Sequence, residues 1–149
     1  MKNIHSALRI LTLFIFITLA AISCRSTDET VNCFPNSPIS VVLNLNLPSY
    51  QNLNHPGGWV YVNGQGSGTR GLIVLRTNGG FKVYDRNAPH LCPTTETTLS
   101  VVDNIKLYCP ADKSEWILLT GEPIKVAQIS PKIYLSQYDP NSNVLSIYN

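Results

Sequence analysis

The feature that most constrains this chain is the rhythm of its apolar residues. They come in short runs with a period of two, and Gly, Pro or Asn interrupts them every few positions. "ISVVLNLNL" sets Ile39, Val41, Leu43, Leu45 and Leu47 on one face, as a half-buried strand requires. "GWVYVN" and "GLIVLR" follow, separated by the glycine-rich "GQGSGTR". "GLIVLRTNGGFKVYDR" reads as a hairpin through "TNGG", because Asn-Gly favours turns with positive φ. "TTLSVV" and "IKLYC" pair across "DN", and "SEWILL", "PIKVAQI", "KIYLSQY" and "NVLSIYN" complete the set. No long amphipathic helix competes with this pattern. The expectation is an all-β chain, an antiparallel sandwich or barrel, in a single domain over 37–149. "GQGSG" is not a phosphate cradle, since no helix pattern follows it.

The N-terminus follows a different logic. Lys2 and Arg9 flank the start of an apolar run from Ile10 to Ile22, too short to span a bilayer comfortably and laid out like the core of an export signal. It ends in "AAISC", which resembles a bacterial lipobox. That resemblance implies a lipoprotein signal peptide over 1–23, cleavage before Cys24 and acylation of the Cys24 thiol. Residues 24–36 then form the lipidated end and a polar tether. The protein is expected outside the cytoplasm, anchored to a membrane without spanning it, on the periplasmic face or at the outer membrane.

Charge narrows the function classes. Charged residues make up only 13% of the chain, with 11 Lys and Arg against 9 Asp and Glu. Losing Lys2 and Arg9 with the signal leaves 9 of each sign, a neutral mature chain. No basic stripe exists, so nucleic acid is not an expected partner. No Ser-His-Asp order, paired-carboxylate site or HExxH pattern is visible, so the chain is not expected to be an enzyme. Export permits disulfides. With Cys24 acylated, Cys33, Cys92 and Cys109 remain, enough for one disulfide and one free thiol.

Two segments carry a family resemblance. "FKVYDRNAPHLCP" and "YCPADKSEWILLTGEP" look like the two cluster-binding loops of a Rieske domain, framed by the same kinds of strands. The closing "IYLSQYDPNSNVLSIYN" resembles that family's last hairpin, and "NLNLP" with "HPGGWVYVN" resembles the N-terminal part of Rieske-like lipoproteins of Bacteroidetes-type bacteria. The resemblance implies a β sandwich or barrel whose two hairpin loops form the cluster site. In the family, C-x-H on the first loop and C-x-x-H on the second hold a [2Fe-2S] cluster, with two thiolates on one iron and two imidazoles on the other.

Carried over by position, the four ligand places fall on Ala88, His90, Cys109 and Asp112. A methyl group cannot replace a thiolate, and a carboxylate is a harder ligand than imidazole. The site is therefore expected to be degenerate, with no metal and no cofactor. The leading expectation is a binding or structural module of the cell envelope, with an unidentified envelope protein or ligand as partner. The alternative is electron transfer or redox sensing through a non-standard [2Fe-2S] cluster or a mononuclear metal site that uses His90, Cys92 or Cys109, and Asp112. The family's inter-loop disulfide position falls on Ala111. Cys92 and Cys109 still lie one on each loop, and they are expected to pair with each other, leaving Cys33 free or paired elsewhere. The bland expectations are a turn cap for His90, an Asx turn for Asp112, an exposed loop for His55 and packing roles for Trp59 and Trp116.

Overall fold

The computed structural model describes residues 30–149. The expected signal peptide and Cys24 lie outside the described residues. Among the described residues, no helix is long and apolar enough to cross a membrane.

The fold is all-β and antiparallel, as the period-two pattern implies. Among the described residues its ten strands are β1 (Ser40–Asn44), β2 (Trp59–Val62), β3 (Leu72–Thr77), β4 (Gly80–Asp85), β5 (Ser100–Val102), β6 (Lys106–Tyr108), β7 (Glu115–Ile117), β8 (Pro123–Lys125), β9 (Ile133–Asp139) and β10 (Val144–Tyr148). They form a six-stranded sheet in the order β1-β10-β9-β4-β3-β2 and a four-stranded sheet in the order β5-β6-β7-β8. The small sheet is the excursion between β4 and β9, and it carries both candidate loops.

Strand β3 explains why the two sheets share one body. Its "LIVL" is buried on both faces, which suits a continuous apolar run better than an alternating one. Leu72 and Val74 enter a first core with Leu43, Leu45, Leu145 and Ile147, enclosed by the curled large sheet. Ile73 and Leu75 enter a second core with Leu99, Leu107, Trp116 and Leu118 of the small-sheet region. β4 divides in the same way, with Val83 in the first core and Tyr84 in the second. The Tyr84 hydroxyl donates to the Leu118 carbonyl across that second core at 3.0 Å.

Two local expectations are corrected. The strand expected over 39–47 stops at Asn44, whose side chain accepts the Asn46 N–H at 3.0 Å. Pro48 then opens a 3-10 helix over Pro48–Asn54, and Leu47 is left 49% exposed. In "TNGG", Thr77 pairs with Gly80, and the positive φ falls on Gly80 at 148°, not on Asn78. The "DN" hairpin does use positive φ, at Asp103 (54°) and Asn104 (59°), in a turn that the Ile105 N–H closes on Val102 O, with three residues between the paired Val102 and Lys106.

Candidate functional site

The first loop leaves β4 at a buried carboxylate. Asp85 accepts the Tyr134 hydroxyl at 2.7 Å, the Asn87 N–H at 2.7 Å and the Thr69 N–H at 3.3 Å. Burial pushes the Asp85 carboxyl above its ordinary range, against the pull of these three donors and of Lys132. Gly68 passes so close that a Cβ there would lie 2.7 Å from Asp85 Oδ2, and its φ is +78°. The glycine in "GQGSG" thus serves close backbone approach to Asp85. Asn87, fully buried, then ties the loop to itself. It donates to the carbonyls of Ala88 (2.8 Å) and Leu91 (3.1 Å) and accepts the Thr97 hydroxyl (2.6 Å).

The second loop, between β6 and β7, is a tight turn. The Cys109 N–H donates to Ser114 O and the Lys113 N–H to Cys109 O, both at 2.9 Å, with Lys113 at φ 65°. Asp112 closes the turn by accepting the Ser114 N–H on Oδ1 at 3.0 Å, the Asx geometry expected for it. The loops meet through the Ala111 N–H, which donates to Glu96 O at 3.1 Å.

His90 and Asp112, which stand at the two positions where the resemblance places histidines, face each other directly. His90 Nε2 lies 2.6 Å from Asp112 Oδ2, and both side chains are 23% exposed. Ser114, fully buried, donates its hydroxyl to the same Asp112 oxygen at 2.5 Å and sits 3.3 Å from His90 Nε2. Burial works to raise the Asp112 carboxyl. The Ser114 hydroxyl, the His90 ring, the Ser114 N–H and the Cys109 thiol outweigh it and hold the carboxyl down at about 2. The His90 ring rests against Trp116, centroids 5.8 Å apart, while its Nδ1 is buried without a hydrogen-bond partner. His90 therefore cross-links the loops rather than capping its own turn.

The Ser-His-Asp composition of this clasp does not make it a nucleophilic triad. A triad needs the carboxylate on one imidazole nitrogen and the serine on the other. Here both meet Nε2, and the serine proton goes to the carboxylate.

The remaining ligand positions face inward. Ala88 and Cys109 are fully buried in the second core. Burial raises the Cys109 thiol, and Asp112 adds to the rise, while the N–H groups of Ala111 and Asp112 oppose it. The expected Cys92–Cys109 disulfide is not formed. Cys92 pairs instead with Cys33, with Cα atoms 5.4 Å apart, and Cys109 is free. The reason is direction: Cys109 points into the core, whereas Cys92 and Cys33 are both exposed. The polar tether expected over 24–36 is therefore fastened to the domain before residue 37. The Val31 N–H also donates to Pro89 O at 3.1 Å, and Phe34 is buried. Cys92, placed in the alternative metal sites, is consumed by its disulfide.

The loops thus present one thiol, one imidazole, one carboxylate and one methyl where a [2Fe-2S] cluster of this type takes two thiolates and two imidazoles. Among the described residues, no group of three or more His, Cys, Asp or Glu side chains is gathered as a metal site. His55 is exposed and Trp116 is core, as expected. Asn87, Ser114 and Asp85 were not singled out from the sequence. Asp-x-Ser in "ADKS" was a legible signal for Ser114, but Asn87 and Asp85 carry none apart from their place at a strand end.

No family profile matches this chain, and no curated protein matches it. The solved structures similar to it include these three. A Mycobacterium tuberculosis protein assigned as the small subunit of NADH-dependent nitrite reductase is 16% identical. It covers 74% of this chain and 96% of its own, with a TM-score of 0.41. The ferredoxin of carbazole 1,9a-dioxygenase from Nocardioides aromaticivorans is 14% identical, covering 75% and 97%, with a TM-score of 0.43. A further protein assigned as a nitrite reductase small subunit is 13% identical, covering 73% and 98%, with a TM-score of 0.39.

Proposed function

We propose that this chain is an envelope lipoprotein whose Rieske-like domain has exchanged its cluster for a polar clasp and acts as a binding or structural module. The contact that carries the reading is His90 Nε2 to Asp112 Oδ2 at 2.6 Å. A cluster holds its two loops apart with iron between the ligands. In this chain two of the ligand positions bond each other, and Ser114 completes the closure. The donor set supports the same reading, because neither Ala88 nor a carboxylate occupied by two hydrogen bonds furnishes what the cluster needs. In this role the loops are held to each other by hydrogen bonds, the first loop is tied to the N-terminal segment by the Cys33–Cys92 disulfide, and no electron is carried. The anchor is the acylated Cys24, and the partner is a component of the envelope.

The test is an iron assay with visible and electron paramagnetic resonance spectra on the full chain, purified without oxygen from iron-replete cells. A colourless, folded protein with less than a tenth of an equivalent of iron is the expected result. Two irons per chain with the spectrum of a mixed thiolate–imidazole cluster would refute the proposal. Ala88→Cys with Asp112→His, which rebuilds the donor set, is the positive control for the assay. Flotation of the protein with membranes, abolished by Cys24→Ala, tests the anchor separately.

A further inference from the structure

We infer that the tip formed by the two loops lies against the lipid surface that anchors the chain, and that the Cys33–Cys92 disulfide holds it there. This inference rests on the proposed acylation of Cys24. Val31 is pinned to Pro89 of the first loop, and Cys33 is bonded to Cys92 two residues after His90. Val31 lies seven positions after Cys24, and seven residues span at most about 25 Å. A domain of the 120 residues described has a diameter of about 35 Å. The leash is shorter than the body, so the loop end cannot turn away from the bilayer.

The register shows which end is remote. Val83 of β4 pairs with Tyr134 and Tyr84 with Ile133. β9 therefore runs away from the first loop, and the β9–β10 turn around Ser142 lies at the opposite end of the sheet. The tip itself suits a lipid headgroup layer. Its exposed residues include Thr94, Thr95, Pro110 and Ala111, with one acid, Glu96, and one base, Lys113. With the Asp112 carboxylate, 23% exposed, bonded to His90, the tip carries at most a small net charge to be repelled by anionic lipid.

Without the disulfide, the Val31 N–H on Pro89 O, the Asn149 side-chain amide donating to Ser37 O at 3.1 Å and the packing of Phe34 hold residues 31–38. Once these yield, the next fixed point is Ile39, whose N–H donates to the Asn149 side chain at 3.0 Å. The leash then grows to fifteen positions, about 50 Å and longer than the body. The disulfide is exposed at both cysteines and so open to a reducing dithiol.

The experiment uses the full acylated chain in vesicles of phosphatidylethanolamine and phosphatidylglycerol containing a headgroup-labelled acceptor lipid. A donor dye is placed on Thr95→Cys or on Ser142→Cys, and energy transfer to the membrane is read. At least threefold greater transfer from position 95 is expected, falling to near parity in a Cys33→Ser/Cys92→Ser background. A second variant keeps the disulfide and inserts ten Gly-Ser residues after Glu29, and it should also reach parity. Equal transfer from both positions in the parent, or greater transfer from 142, overturns the orientation while leaving the anchor intact. Failure of the parent to float with vesicles overturns the anchor and this inference together. An unchanged ratio in both lengthened chains overturns the role of the leash.

Discussion

Removing the Cys33–Cys92 bridge should cost this domain a large part of its stability. The cysteines are 59 residues apart, and the loop they close contains β1 to β4. Closing a loop of that length withdraws entropy from the unfolded chain worth about 4 kcal/mol at room temperature. The native state adds little strain to offset this, since the Cα separation of 5.4 Å is within the ordinary range. Cys33→Ala with Cys92→Ala removes the bridge without leaving either of its two thiols unpaired. Guanidinium unfolding, followed by Trp59 and Trp116 fluorescence, should show the midpoint falling by more than about 1 M at a slope of about 3 kcal/mol/M. Thermal unfolding should fall by about 15 °C. The parent under a strong reductant should move the same way, and its native Cys109 should resist alkylation. A loss below about 1 kcal/mol, or a mapped peptide joining Cys109 to Cys33 or Cys92, would overturn this account.

Four further outcomes follow from the same geometry. His90→Ala leaves Asp112 without its cross-loop partner. With the pair 23% exposed, the loss should be about 1 kcal/mol in chemical denaturation. Asp112 is depressed from 3.8 to about 2 in the folded protein, so its contribution is complete above pH 3.8 and is lost as pH falls toward 2. Asp112→Asn should accordingly flatten the fall of the unfolding midpoint within that window. Val126 is exposed and sits at φ 64°, where a β-branched residue is strained. Val126→Gly should raise stability by about 1 kcal/mol in the same denaturation assay. Gly68→Ala, which drives a methyl against the buried Asp85 and strains a positive φ, should destabilise by about 2 kcal/mol, read as a lower melting temperature.

The fold class was legible in the letters, because a period of two and dense turn residues leave a chain little choice but antiparallel strands. The sequence also located the two loops and the side chains they carry, since Ala88, His90, Cys109 and Asp112 are legible as letters. What letters do not carry is direction. Whether Cys109 turns into the core or out toward Cys92 depends on which face of β6 meets Trp116 and Leu99. The expected disulfide failed on that point, and the true partner, Cys33, lay on a segment that read as a tether. The clasp is a second case. Asp112 could be read as an Asx turn, and His90 as a turn cap, from local sequence. Their meeting across 22 positions exists only because β6 and β7 fold the second loop back beside the first. Local propensity acts over a few residues. The placement of a side chain on one loop against another is decided by the packing of the strands beneath them.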